Sequence, residues 1–316
     1  MEGVAAGFPG GFLELQANPE SRLITTGGIC EDAMSGILSG LSTYGRHIGV
    51  GSSYGAFIAA LGHVSARLHA IAAQARLSVF GDPYPTMILI AAHAGLKTGE
   101  DGPTHADPQP LQLVQENFPH GTAITLTPWD PAEIWTLVTA ALDHRPAVLI
   151  PFVTRPTETV LDRETLGLAP ATAARTGVYR LREASGEPDG TVVLQGSAVT
   201  YAFLQEALPR LLEDGIDLEV YSVASAELFD SLRPEEREWI FPASTAAVAV
   251  GITDFTLPTL YRWVTSERGR QASLHPFRKG HFLGSGPGNR VMQEAGLDGE
   301  SQYRMLKDFV AQKVAV

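Results

Sequence analysis

Apolar positions along the chain fall into two successive series in which short continuous runs alternate with stripes at helical spacing. Arg22–Thr26 reads as a short strand, broken by Gly27-Gly28, and in the following Glu31–Tyr44 the residues Met34, Ile37, Leu38 and Leu41 recur as one helical face. Cys30 and Glu31 therefore fall at a strand-to-helix turn. From Gly55 to Arg76 the chain is Ala-rich, with Phe57, Leu61, Val64, Leu68 and Ile71 on one stripe, which predicts a largely buried helix opened by Tyr54 and Phe57. A strand at Met87–Ala92, a polar loop, a helix near Gln109–Glu116, a strand at Ala123–Leu126, a helix at Pro131–Leu142 and a strand at Ala147–Pro151 complete the first series. Strands alternating with helices predict a mostly parallel, doubly wound sheet.

The pattern weakens between Phe152 and Gly190 into Pro, Thr, Arg and Gly, the composition of an interdomain connection. A second series then runs through strand Val192–Gln195, helix Thr200–Glu213, strand Leu218–Val223 and strand Ala246–Gly251 to an amphipathic stretch at Tyr303–Val310. The expected organisation is α/β throughout: a doubly wound domain over 1–165, a linker over 166–190 and a smaller α/β domain over 191–316. Composition fits this picture, with 316 residues that are 44% hydrophobic and 18% charged. A formal net charge of -12, with no Lys/Arg run, argues against a nucleic-acid partner, so an anionic substrate needs a local positive site. The single cysteine, Cys30, excludes an intramolecular disulfide, and no Cys/His cluster has structural-zinc spacing, which fits a reducing cytoplasm. Met1–Gly11 lacks a basic segment followed by an apolar core, and no run reaches the ~18 apolar residues of a membrane span. A soluble, unexported protein without a membrane partner is expected.

Candidate chemistry gathers just beyond the run ending at Ala92. Gly99-Glu100-Asp101-Gly102-Pro103-Thr104-His105, six residues after His93, packs acids, glycines, a proline and an imidazole into one turn where an α/β sheet usually presents its ligand. Glycine lets backbone approach a bound group and proline stiffens the turn. Glu31, in an apolar context at a helix start, either complements the helix dipole or, if buried, seeks a proton or a basic partner. Tyr54 and Phe57, taken by themselves, read first as core aromatics. Arg155, directly after an apolar strand, has the fork geometry for a phosphate or carboxylate, or for a salt bridge to the second domain. His63, His69, His120, His144, His275 and Cys30 have no evident chemical partner and read as structural or surface residues.

Three segments taken in order carry a resemblance: Gly28-Ile-Cys-Glu31-Asp-Ala-Met-Ser-Gly-Ile-Leu-Ser-Gly-Leu-Ser-Thr-Tyr-Gly45, Gly51-Ser-Ser-Tyr54-Gly-Ala-Phe57 and His93-Ala-Gly-Leu-Lys-Thr-Gly-Glu-Asp-Gly-Pro-Thr-His105. They resemble the transketolase family, over nearly the whole chain, as its pyrimidine-binding domain followed by its C-terminal domain. The resemblance implies that Glu31 matches the family's catalytic glutamate, which hydrogen-bonds the aminopyrimidine nitrogen of thiamine diphosphate. It implies further that Tyr54 and Phe57 pack on the pyrimidine ring and that Asp101 reads a donor-sugar hydroxyl. His105 would lie close to the reacting carbonyl oxygen, while His93 and Arg155 hold the sugar phosphate. No catalytic role falls on the C-terminal domain.

The family binds the cofactor's diphosphate and a divalent metal (Mg or Ca) through a preceding domain with a Gly-Asp-Gly motif, and no Gly-Asp-Gly occurs here. The resemblance thus implies a diphosphate-binding domain or subunit as partner, in a homo- or hetero-oligomer, and no metal ligand from this chain. The implied activity is transfer of a two-carbon ketol unit from a ketose phosphate to an aldose phosphate, chemistry of the pentose phosphate type. Related thiamine-diphosphate enzymes remain as alternatives, among them a deoxyxylulose-phosphate synthase or the β subunit of a 2-oxoacid dehydrogenase. His93 and Thr104-His105 favour a sugar over these. A noncatalytic scaffold subunit is the reading from a different class.

Overall fold

The computed structural model describes Pro19, residues 29–45 and residues 47–314; the strand expected at Arg22–Thr26 lies outside them. The first sheet is all parallel, in the order β1 (Val50–Tyr54), β2 (Met87–Ala92), β4 (Val148–Pro151), β3 (Ala123–Leu126). Every residue of β3 and β4 is buried, as strands covered on both faces must be, whereas β1 is only half covered. Helix α1 (Glu31–Thr43) packs through Glu31, Ser35, Leu38 and Ser42, while Ile37 of the expected stripe is 44% exposed. Small polar side chains let this helix approach closely: the Ser42 hydroxyl donates to Thr86 O at 3.2 Å and accepts from Gly49 N at 2.9 Å.

The single buried helix expected over Gly55–Arg76 is instead two, α2 (Gly55–Leu61) and α3 (His63–Phe80), bent by 48° at Gly62. A Cβ at Gly62 would lie 2.7 Å from Ser35 Oγ, so only glycine lets the break nest against α1. The expected stripe also faces the other way. Leu61, Val64, Leu68 and Ile71 are 48%, 53%, 57% and 57% exposed, and α3 packs inward through Ala66, His69, Ala70 and Ala73. His69, buried among these alanines, is structural: its ring nitrogens contact Pro85 O at 3.0 Å and Ser39 Oγ at 3.5 Å. No single described helix is long and apolar enough to cross a membrane.

The second sheet has the order β5 (Val178–Arg182), β7 (Leu218–Val223), β6 (Gly190–Gln195), β8 (Ala249–Thr253), parallel except for the antiparallel pair β5–β7. Strand β5 falls within the stretch expected to be linker. Its five residues carry two arginines, and its Arg180 is exposed at the sheet edge, so the run has little apolar signal of its own. The strand expected at Ala246–Gly251 starts three residues later because Ala243–Val248 forms a helical turn first. The helix expected at Thr200–Glu213 runs as α6 (Ser197–Ala202), a wide π turn (Phe203–Ala207) and α7 (Leu208–Glu213). Pro209 lacks an N–H for the ladder, and the wide turn precedes it.

The segment joining the sheets is pinned rather than free. Arg163 donates to Asp130 Oδ2 at 2.9 Å, Glu133 Oε1 at 2.8 Å and Ala169 O at 3.1 Å, with its guanidinium 4.5 Å over the Trp129 ring. Tyr179 of β5 donates to Glu133 and accepts from Trp129 Nε1 at 2.9 Å. Burial pushes the Glu133 carboxyl up, against the pull of Arg163 and Tyr179, so the buried acid depends on its cation. Arg163→Gln is expected to lower the unfolding free energy by about 3–5 kcal/mol, because it strands two buried carboxyls. Urea denaturation measures this, and a change within about 0.5 kcal/mol, the range of an ordinary surface substitution, would refute it.

Candidate active site

Parallel register pairs Tyr54, the last residue of β1, with Ala92, the last of β2. Both chains leave the sheet at its C-terminal edge, where open α/β sheets bind ligands. Tyr54 turns directly into α2, which carries Phe57 in its first turn, and Ala92 leads into His93. Four rings meet there. The His93 ring stands edge-on to Tyr54 with centroids 4.1 Å apart, and His105 lies 4.8 Å from Tyr54 and 5.0 Å from Phe57. The Thr104 hydroxyl lies 2.8 Å from His105 Nδ1 and fixes the ring's rotation.

His93 has φ +56, a conformation that non-glycine residues adopt rarely, and it is held by the bonds around it. Ala94 N donates to Val153 O at 3.0 Å, and the Thr98 hydroxyl donates to His93 O at 3.2 Å. Asp101 lies behind the rings, its Oδ2 accepting from Arg155 Nη1 at 3.1 Å and sitting 3.8 Å from His93 Nδ1. Of the roles open to Arg155, the ion pair is thus made within its own domain, and its side chain stays 54% exposed toward solvent. Burial and the Arg155 charge lower the His93 pKa while the Asp101 charge raises it, leaving the ring neutral at pH 7.

Glu31 opens α1 and is 8% exposed. Its Oε1 accepts from Ser53 Oγ at 2.7 Å, which ties the helix start to the residue before Tyr54. Its Oε2 is buried with no hydrogen-bond partner. Buried carboxylate oxygens are normally satisfied, so this one is an acceptor waiting for a donor. Among the described residues no group of three or more His, Cys, Asp or Glu is arranged to hold a metal ion. Ser53 is not among the residues that the sequence singles out; it adjoins Tyr54, but a lone hydroxyl carries no pattern.

The loop is also held from the second domain, by residues to which the sequence assigned no role. Gly286 N donates to Gly99 O at 3.0 Å and the Ser285 hydroxyl donates to Glu100 O at 3.0 Å. A Cβ on Gly99 would come within 2.5 Å of Val291 Cγ2 in helix α12 (Gly288–Ala295), so the two surfaces fit only with glycine. Lys97 pairs with Glu158, its ammonium 5.0 Å over the Tyr201 ring. Asp254, at the end of β8, accepts from Ala198 N at 2.7 Å and Val199 N at 3.1 Å while packing against Gly95 and Gly196.

Two family models match the chain: the transketolase pyrimidine binding domain over residues 8–156 and the transketolase-like C-terminal domain over residues 177–298. The chain belongs to the transketolase family. Transketolase 2 of Vibrio parahaemolyticus is 25% identical over 309 residues, covering 95% of this chain and 41% of that protein. The transketolase of Aquifex aeolicus is 29% identical over 276 residues, covering 87% of this chain and 36% of that protein. The chain thus spans about two-fifths of the length of the curated transketolases it matches. In structure it is similar to the transketolase of Leishmania mexicana, with a TM-score of 0.70 and 22% identity over 90% of this chain and 37% of that one. A split-gene transketolase, described as an inactive β4 tetramer, superposes with a TM-score of 0.60 and 18% identity, covering 94% of this chain and 87% of its own. These likenesses establish the fold of both transketolase domains.

The charges around His93 make a test by titration. Removing the Arg155 cation (Arg155→Gln) should raise the His93 pKa, and removing the Asp101 anion (Asp101→Asn) should lower it, both read from the imidazole proton shifts in NMR. Equal values in the two variants would mean that neither charge reaches the ring.

Proposed function

We propose that this chain forms the pyrimidine-facing half of a thiamine-diphosphate-dependent transketolase site, transferring a two-carbon ketol unit from a ketose phosphate to an aldose phosphate. The observation that carries this reading is Glu31: one oxygen is anchored by Ser53 and the other is buried and unpartnered, beside the strand end that carries the ring cluster. A carboxyl in that state fits a heteroaromatic ring nitrogen that shares a proton with it, and Tyr54 and Phe57 supply aromatic faces for the same ring. When bound, thiamine diphosphate supplies the carbanion chemistry that carries the ketol unit. Glu31 accepts the ring nitrogen's proton at its Oε2, and His105, rotationally fixed by Thr104, donates to the reacting carbonyl oxygen. Asp101 accepts from a donor-sugar hydroxyl. Neutral His93 and the exposed Arg155 hold the sugar's phosphate, the local positive site that a chain of net charge -12 requires.

The diphosphate and its divalent metal, Mg or Ca, are assigned to a diphosphate-binding domain contributed by a partner chain or another segment, in a cytoplasmic oligomer. The exposed stripe Leu61, Val64, Leu68 and Ile71 supports this assignment, since apolar side chains on one face of two successive helices call for cover. Leu68→Asp is expected to abolish association with the diphosphate-domain partner in sedimentation velocity while leaving the circular dichroism of the chain unchanged. Persistence of the complex would put the interface elsewhere.

Activity is measured as ketol transfer from xylulose 5-phosphate in the presence of that partner, with pyruvate as the competing donor. Glu31→Gln should reduce turnover by about 10²–10⁴-fold, the usual weight of a positioned proton-transfer group. Unchanged turnover would instead assign the chain to a noncatalytic scaffold.

A further inference from the structure

Away from the ring cluster, the second domain holds an open cleft of about 730 Å³ between helix α11 (Glu267–Ala272), the following segment to Lys279, and helix α13 (Gly299–Val314). Its size suits a drug- or nucleotide-sized ligand. Four cations line it, Arg268, Arg278, Lys279 and Arg304, against a single carboxylate, Asp308. The chain as a whole has the opposite balance, 23 Lys and Arg against 35 Asp and Glu. A cationic cleft on an acidic protein concentrates field where the rest of the surface repels anions.

Three of the cations, Arg268, Arg278 and Lys279, are held in place by backbone carbonyls and not by carboxylates. Arg268 donates to Phe309 O with its guanidinium 4.0 Å over the Phe309 ring, and Lys279 donates to Glu294 O near the C-terminal end of α12. Both partners are backbone carbonyls, which orient a side chain and leave its charge available. Arg278 makes one long contact, Nη2 to Gln271 O at 3.5 Å, and its charge helps to keep the neighbouring His275 pKa low. Arg304 shares Glu300 with Arg210, so that carboxylate is divided between two guanidiniums. Ser301 and Gln312 add neutral hydrogen-bonding groups to the lining.

We propose that this cleft is a binding site for a small phosphate-bearing anion, separate from the transketolase site and independent of the reading given above. Arginine forks and a lysine point charge are the chemistry that grips phosphate oxygens, and no carboxylate pairs with Arg268, Arg278 or Lys279 among the described contacts. The test uses the full chain and inorganic pyrophosphate as probe, by isothermal titration calorimetry at fixed ionic strength with sodium chloride as the matched control. One saturable site is expected, weakened at least 10-fold in the double variant Arg278→Gln/Arg304→Gln and restored in part by Arg278→Lys with Arg304 intact. Affinity should be unchanged in Arg155→Gln, which reports the ring-cluster site, and in Arg233→Gln, which removes a cation from an unrelated exposed helix. Circular dichroism verifies that each variant is folded, since all the replaced side chains are exposed. Heat no greater than the chloride control, an equal loss in Arg233→Gln, or a loss that follows Arg155→Gln would each overturn the proposal.

Discussion

The ring cluster depends on a carboxylate it never touches. Asp254 is buried at the junction of the domains, where it terminates the first turn of α6 with both oxygens and packs against Gly95, two residues beyond His93. Burial pushes its carboxyl up to about 7, against the two amide bonds and the positive charge of Lys97. A Cβ on Gly196 would come within 2.5 Å of Asp254 Oδ2, so the contact is as close as backbone and carboxylate allow. Because His93 follows β2 directly and the turn after it rests on this contact, the second domain sets the depth at which the loop lies. The bonds from Ser285 and Gly286 to Glu100 and Gly99 continue the same support.

This arrangement gives the C-terminal domain a part in a site to which it lends no ring or reactive group. Its contribution is geometric: the loop that carries Asp101 and His105 is fixed from behind by bonds spanning almost two hundred residues of sequence. Arg163 does comparable work on the other side of the junction. There the segment between the sheets is tied through Asp130 and Glu133 to the base of helix α5 (Pro131–Asp143), and through Tyr179 to the second sheet.

What could be read from sequence divides along physical lines. Met87–Ala92, Ala123–Leu126 and Leu218–Val223 coincide with their expected strands because each is a short run dominated by apolar residues, continuous in Met87–Ala92 and broken only by Thr125 or by Glu219 and Ser222 in the others. The grouping of Tyr54, Phe57, His93 and His105 was anticipated through the family's motifs, and the register between β1 and β2 brings them within ring contact. Strand β5 is not legible in the sequence because an edge strand with two arginines has little apolar signal. The stripe on α2 and α3 is apolar, as its spacing predicts, but faces outward and not into the core, since periodicity reports that a face wants cover and not which surface supplies it. Ser53 as the anchor of Glu31, and Ser285 behind Glu100, follow only from which elements become neighbours.

The unpartnered oxygen of Glu31 has a thermodynamic side. A buried acceptor left without a donor costs on the order of 1–3 kcal/mol, carried by the folded chain and absent once the chain unfolds. A ring nitrogen that donates to it removes that cost, so occupancy of the site and stability of the first domain rise together. The position that serves a ligand is thereby one of the least comfortable in the bare protein. Substitutions that relieve it can harden the fold while dulling the site.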